Sequence, residues 1–179
     1  PNTLHATGKT LSVSKKFLPE IPLPQTVLGF EVGEKYADWN DVLKYMEALQ
    51  KHSNRVKIEV MGTTYQHRPI IQVTISSAEN MKKLDEIKKE HLQLTDASIS
   101  SKADVTRMPV VVNLAHSMHG NEASAVNSAL ATAYFFAASD DANIKGLLEN
   151  TIIVIAPGLN PDGINRFANW VNTTHSYHN

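Results

Sequence analysis

Two continuous apolar runs, residues 109–115 and 151–156, are the strongest features of the hydrophobic pattern. Each run is short and rich in β-branched residues, which predicts a β-strand buried on both faces. An alanine-rich stretch with apolar positions at helical spacing lies between them, and this order of strand, helix and strand predicts a parallel crossover. We therefore expect the carboxyl ends of both strands to lie side by side at one edge of a sheet.

Period-two alternation predicts a further pair of strands earlier in the chain. Residues 55–62 and 69–76 alternate apolar and polar positions, as half-buried strands do, and their short connection predicts an antiparallel hairpin. Helical spacing predicts helices over residues 39–52, with Asp38 as the N-cap, and over residues 77–91. These elements together predict an α/β fold with a mixed sheet.

The remaining segments are polar or rich in proline. Residues 1–35 contain four prolines and are expected to form an extended lead segment along the surface of the unit formed by residues 36–179. Residues 95–107 are expected to be a loop, and residues 172–179 to form neither helix nor strand. Residues 160–163 read Asn-Pro-Asp-Gly, which predicts a tight turn.

Composition excludes several function classes. A length of 179 residues is enough for one domain with a sizeable core. The composition, 42% hydrophobic and 20% charged, is typical of a globular protein. A net charge of −1 gives no electrostatic basis for nucleic-acid binding, and no apolar run reaches the roughly 18 residues that span a bilayer. The chain begins at Pro1 without Met, so we expect that an upstream segment was removed. A secretory signal there would make the full-length protein secreted or periplasmic.

The candidate chemistry lies in the polar cluster after the first apolar run. His119 and Glu122 are three positions apart where the helical pattern starts, at about Gly120 to Asn121, so both side chains are expected to face one point. Imidazole and carboxylate suit zinc, and since the chain has no cysteine, any metal must use His, Asp or Glu. Alternatively, His119 caps the helix and Glu122 is an ordinary first-turn acid. His116 is a rival ligand, although packing at the strand end fits it better.

Arg166 is the candidate substrate-binding residue. It follows the Asn-Pro-Asp-Gly segment, so it can reach the expected metal edge, where a guanidinium would bind a substrate carboxylate or stabilise an oxyanion. The alternative for Arg166 is a solvated surface arginine. His175 and His178 are candidates for a third metal ligand, although a chain terminus is an unfavourable position for one.

At these residues the chain resembles the zinc metallocarboxypeptidases, the family typified by pancreatic carboxypeptidase. Four motifs, in the family's order and at its distances, carry the resemblance. They are His-Gly-Asn-Glu at 119–122, Asn-Pro-Asp-Gly at 160–163, the hairpin from Gly62 to Ile70 that ends in Arg68-Pro69, and Ser-Ser-Ala-Glu-Asn at 76–80. The resemblance implies a mixed, mostly parallel sheet of eight strands with helices on both faces.

The resemblance also implies a function. One Zn²⁺ ion would be bound by His119, Glu122 and a later His, and a later Glu would act as the general base that activates water for hydrolysis of C-terminal peptide bonds. That His and that Glu have no counterpart here, and we expect the general-base Glu beyond Asn179. We therefore expect residues 36–179 to be the amino-terminal part of a catalytic domain, truncated on its C-terminal side and inactive on peptides.

Three departures from the family pattern leave the substrate preference open. The family's substrate-binding arginines follow the Asn-Pro-Asp-Gly segment at a longer distance than Arg166 does. Asn121 stands where the family commonly has Arg. Gln-His-Arg at residues 66–68 replaces the usual Glu-Gly-Arg of the hairpin.

Two other functions remain open. Zinc deacylases of N-acyl amino acids also use His-Gly-Asn-Glu, although the Asn-Pro-Asp-Gly segment and the long lead favour the peptidase. A non-catalytic binding module of the same fold is the other alternative. The expected partner of the peptidase is the C-terminus of a peptide or protein. We also expect self-association, since the absence of later strands would expose an apolar sheet edge.

Overall fold

The computed structural model describes residues 5–6, 9–10 and 16–174, so His175, His178 and Asn179 lie outside the described residues. The strands are β1 (His5–Ala6), β2 (Lys9–Thr10), β3 (Val56–Thr63), β4 (Pro69–Ile75), β5 (Val110–Ala115) and β6 (Thr151–Ala156). The helices are α1 (Pro24–Leu28), α2 (Trp39–His52), α3 (Ala78–Lys82), α4 (Leu84–Leu92), α5 (Ala123–Ala138), α6 (Ala142–Glu149) and α7 (Pro161–Thr174). No helix among the described residues combines the length and apolar character that crossing a membrane requires.

The predicted α/β fold with a mixed sheet is confirmed. Strands β3, β4, β6 and β5 form one sheet in that order, while β1 and β2 pair separately. Strand β4 is antiparallel to both of its neighbours, and β5 is parallel to β6 as the crossover predicted. Antiparallel pairs therefore outnumber parallel ones among the described strands, in contrast to the mostly parallel sheet that the resemblance implied.

Several element boundaries differ from the sequence prediction for local reasons. The helix expected over residues 77–91 is divided into α3 and α4 at Lys83, whose ψ of 15° departs from helical geometry. The loop expected over residues 95–107 contains short 3-10 turns. Residues 172–174, expected outside any helix, are the last turn of α7. By contrast, α2 spans the predicted residues, since Asp38 accepts a hydrogen bond from the Asp41 amide (2.9 Å) and caps the helix.

The core lies where α2, α5 and α7 pack with the sheet. Its fully buried side chains include Trp39, Tyr45, Met46, Leu49, Leu130, Ile155 and Ile164. The described part of the lead segment contributes to this core: Ile21 and Phe30 are buried in it, and α1 interrupts the stretch that was expected to be extended. Residues 16–35 therefore do more than follow the surface.

The prediction that β5 is buried on both faces is wrong. Val110, Val111 and Val112 are 63%, 49% and 37% exposed, because β5 is an edge strand of the described sheet. The equally apolar β6 lies inside the sheet, and Ile152 and Ile153, on its opposite faces, are both buried. The apolar pattern therefore identified both strands but could not distinguish a central strand from an edge strand.

Because β5 is an exposed edge of the described sheet, we propose that two copies of the chain associate through it. One substitution in β5 tests this proposal. An unpaired edge rich in Val can pair with a second copy, and a lysine there prevents such pairing. We expect Val111→Lys to raise the dimer dissociation constant, measured by sedimentation velocity over a concentration series, at least about tenfold. The control is Val60→Lys on the opposite edge, where the Lys57–Glu59 ion pair and a bulge already discourage pairing. A wild-type chain that is monomeric at every concentration would contradict the proposal.

Candidate functional site

The two polar segments that follow β5 and β6 are in direct contact. The His116 amide donates to the Ala156 carbonyl (2.9 Å), which continues the parallel pairing beyond the strands. A Cβ atom added at Gly120 would lie 2.1 Å from the carbonyl carbon of Gly163. Only glycine permits this backbone contact. The contact confirms the expectation that both strands end side by side at one edge.

His119 and Glu122 are also neighbours in space. Imidazole Nδ1 of His119 lies 3.3 Å from Oε1 of Glu122, and the His119 amide donates to Oε2 at 3.0 Å. The sequence had predicted Glu122 inside the following helix. Helix α5 begins only at Ala123, so Glu122 is the residue before the helix. The side chains are 74% and 40% exposed. The two donors therefore face solvent together.

Contacts with His119 stabilise the ionised form of Glu122, which is the form that binds metals. The His119 amide first, and then its imidazole, hold the pKa of the Glu122 carboxyl below its usual range. The carboxylate is therefore ionised at neutral pH, and a cation need not displace a proton from it.

Imidazole and carboxylate are donors that fit zinc, although a catalytic zinc requires three protein ligands. Among the residues that the structure describes, no group of three or more His, Asp or Glu side chains is arranged to hold a metal. His116 does not join the pair: within the described structure its buried Nε2 has no hydrogen-bond partner, and burial lowers the pKa of its imidazole. The described site thus offers two zinc ligands. The general-base Glu expected beyond Asn179 stays a prediction, because Asn179 and whatever follows it lie outside the described residues.

The loop that carries these ligands is held by two side-chain hydroxyls. Tyr36 Oη donates to the Gly120 carbonyl (2.7 Å), and Ser117 Oγ donates to the His119 carbonyl (2.9 Å). Asn172 fixes the Tyr36 backbone, accepting from its amide (3.1 Å) and donating to its carbonyl (2.8 Å). Sequence reasoning missed Tyr36 and Asn172, because no spacing or motif connects residues so distant in the chain.

Residues 160–163 begin α7 and do not form the predicted tight turn. Pro161 is the first helical residue, a position where its missing N–H is no loss. Asn160 Oδ1 accepts from the Gly163 amide at 3.0 Å, which caps the helix. Asp162, next in sequence, accepts from Thr64 Oγ1 (2.8 Å) and forms an ion pair with Arg68 (2.7 Å). The β3–β4 hairpin is therefore clamped to the start of α7.

This clamp predicts a pH dependence of stability. Desolvation raises the pKa of Asp162, but hydrogen bonds from Thr64 and Arg68 outweigh it, so the pKa is lowered overall. A carboxyl with a lowered folded-state pKa stabilises the fold above its unfolded pKa of about 3.9, and this contribution is lost as pH falls through the folded value. We therefore expect Asp162→Asn to lower the thermal midpoint at pH 7 and to reduce its decline below about pH 4.

Asp96→Asn is the matched control for this prediction. The pKa of Asp96 is also lowered, but by Ser98, two residues away, and such a local contact needs no tertiary structure. Thermal scans from about pH 2 to 7 should therefore change little for Asp96→Asn. Equal responses of the two variants would contradict a role for the clamp.

Arg166 lies at the same edge as the two candidate ligands. It is exposed on α7 and lines an open groove of about 470 Å³. The groove is also lined by Gly120, Asn121, Gly163, Phe167 and Trp170. Since Gly120 and Asn121 lie between His119 and Glu122 in sequence, the loop that carries both ligands forms part of the groove wall. A ligand in this groove would contact the Arg166 cation, two aromatic rings and the loop of residues 119–122.

Comparisons with known proteins show the family and the fold of this chain. The sequence model of one family, described as zinc carboxypeptidase, matches residues 42–179. A metallo-carboxypeptidase from Burkholderia cenocepacia superimposes with a TM-score of 0.53 at 16% identity, covering 72% of this chain and 28% of its own. Thrombin activatable fibrinolysis inhibitor superimposes with a TM-score of 0.51 at 14% identity, and the match covers 73% of this chain and 27% of that protein. The chain thus spans less than a third of these solved structures. No curated protein sequence matches it.

Proposed function

Because this chain belongs to the zinc carboxypeptidase family, we propose that the full-length protein is a zinc-dependent carboxypeptidase that hydrolyses C-terminal peptide bonds. The observation that carries the proposal is the convergence of His119 and Glu122, 3.3 Å apart, at the strand edge where Arg166 lines a groove. A metal ligand pair and a carboxylate-binding cation are the two features that removal of a C-terminal residue needs in one place.

Each residue would have a distinct role. His119 Nδ1 and the ionised Glu122 carboxylate would hold the metal, and bound Zn²⁺ would polarise the scissile carbonyl and lower the pKa of a water molecule toward about 7. Arg166 would bind the free carboxylate of the peptide in a planar, two-point contact, which positions the last peptide bond. Phe167 and Trp170 would provide an apolar wall beside it.

The described residues do not complete such a centre. A third ligand is needed for tight zinc binding, and a proton-transferring carboxylate contributes roughly 10²–10⁴-fold to hydrolysis. We therefore expect the 179-residue chain alone to bind zinc weakly and to leave peptides intact. Peptide turnover by the purified chain would contradict this expectation.

The decisive experiment compares two forms of one substrate with the full-length protein. Blocked dipeptides with a free C-terminal carboxylate should be hydrolysed, whereas the same peptides as C-terminal amides should not, because Arg166 would have no anion to bind. Treatment with a chelator should remove the activity and added zinc should restore it. Hydrolysis of N-acyl aspartate in place of dipeptides would instead support a deacylase. Failure to hydrolyse either substrate would support a non-catalytic binding module.

A further inference from the structure

Two carbonyl groups of the metal loop, residues 119–122, accept hydrogen bonds from side chains. This loop lies between β5 and α5, and the carbonyls of His119 and Gly120 both accept from side-chain hydroxyls. Glycine has the most flexible backbone of all residue types, and Gly120 lies between the two candidate ligands. The orientation of these ligands therefore depends on what holds the Gly120 peptide.

Tyr36 holds the Gly120 peptide by donating a hydrogen bond to its carbonyl. Its side chain is 3% exposed, and its ring packs edge-on against Phe167 with the centroids 5.8 Å apart. Burial raises the pKa of the Tyr36 phenol, which remains a neutral donor. The 2.7 Å hydrogen bond to Gly120 has the usual O–H···O length, and it is shielded from bulk water and made by a ring with little freedom to move.

The backbone around Tyr36 is itself fixed from two helices. Asn172 of α7 makes a reciprocal pair of hydrogen bonds with the Tyr36 backbone, and Asn165 of the same helix accepts from the Trp39 amide at 2.7 Å. Asn127 of α5 donates to the Lys35 carbonyl at 3.3 Å. These contacts convert an irregular segment into a rigid support.

We propose that Tyr36 is a positioning residue for the metal centre: its hydroxyl fixes the Gly120 carbonyl and thereby keeps the side chains of His119 and Glu122 on one target. This role rests on the proposed function, since the target is the zinc ion. Residues that orient metal ligands without touching the metal change affinity by about 10–100-fold when they are replaced. Tyr36 acts on the backbone between the ligands, so we expect a loss at the lower end of this range.

The test uses a second buried tyrosine as a matched control. Tyr45 is fully buried and its hydroxyl donates to the Pro22 carbonyl at 3.2 Å, outside the candidate site. Both Tyr36→Phe and Tyr45→Phe remove one buried hydroxyl–carbonyl hydrogen bond and should lower stability toward urea to a similar extent. Only Tyr36→Phe should weaken zinc binding by the full-length protein, by about tenfold in competition with a chromophoric chelator. Equal zinc affinities of the two variants would overturn the proposal.

A second variant tests the same support from a distance. Asn172→Ala removes the hydrogen bonds to the Tyr36 backbone and should weaken zinc binding in the same direction. Combined with Tyr36→Phe it should cause little further loss, because both substitutions act through one hydroxyl. Fully additive losses would show that Asn172 acts independently of Tyr36 and would contradict the support described above.

A metal-free measurement separates this proposal from the proposed function. The Glu122 amide donates to the His119 carbonyl at 3.2 Å, so its hydrogen exchange reports the order of the loop without zinc. Exchange at Glu122 should accelerate about fivefold in Tyr36→Phe and remain unchanged in Tyr45→Phe. Unchanged exchange in both variants would overturn the positioning role. Faster exchange in a protein that binds no zinc would instead retain the support and reject the metallopeptidase.

Discussion

We expect replacement of His119 with Ala to lower kcat/KM of the full-length protein for blocked dipeptides, its proposed substrates, by at least about 10³-fold. Metal catalysis supplies several kcal/mol of transition-state stabilisation, and each change of about 1.4 kcal/mol corresponds to a factor of ten. Removing the imidazole leaves Glu122 as the one described ligand on this loop, which cannot hold zinc at a useful affinity. Activity assays with saturating zinc, together with metal analysis of the purified variant, measure the effect.

Two further histidines control for this result. His52, exposed at the end of α2, should be replaceable by Ala without loss of activity. His116 distinguishes the alternatives, because the sequence had marked it as the rival ligand on the same loop. Its Ala variant should change stability through packing but should retain bound zinc. Loss of metal from His116→Ala and retention by His119→Ala would reject the ligand assignment.

The second large effect is expected at Gly120. A methyl group there would lie 2.1 Å from the carbonyl carbon of Gly163, and both sides of this contact are backbone, so no side chain can turn away. Gly120→Ala must separate the two segments that form the site. We expect a loss of about 3 kcal/mol in the free energy of unfolding, the upper end of the usual cost of overpacking. Urea denaturation with linear extrapolation measures this loss.

Gly146 is the matched control for Gly120. It lies within α6, and a Cβ atom there would meet nothing within 4 Å. Gly146→Ala should therefore raise stability by about 0.5–1 kcal/mol, because alanine loses less backbone entropy in a helix. The two glycine-to-alanine substitutions are thus expected to have opposite signs. A stabilising or neutral Gly120→Ala would contradict the close contact between the two segments.

The features that the sequence predicted correctly have local causes. Asp38 and the apolar spacing after it determine the start of α2 within one chain segment. The parallel pairing of β5 and β6 follows from the order of strand, helix and strand, and it brings residues 119–122 and 160–163 together. His119 and Glu122 were found because their chemistry and spacing are visible along a single loop.

The features that the sequence missed depend on residues far apart in the chain. Whether Val111 is buried depends on the strands beside it, which its own apolar neighbours do not encode. The Asn-Pro-Asp-Gly segment fits both a turn and a helix start, and the contacts of Asp162 with the hairpin exist only in the folded chain. The hydrogen bond from Tyr36 to Gly120 joins residues 84 positions apart and follows no motif.

The link between Asn172 and Tyr36 has a consequence for protein synthesis. The two residues are 136 positions apart, so on the ribosome Tyr36 is translated long before the helix that will hold its backbone. Contacts of such long separation form late, after more local ones. The nascent chain can therefore assemble β3, β4 and α2 while the metal loop is still unsupported. The loop of residues 119–122 should therefore gain the support of Tyr36 only when the last turn of α7 has left the exit tunnel.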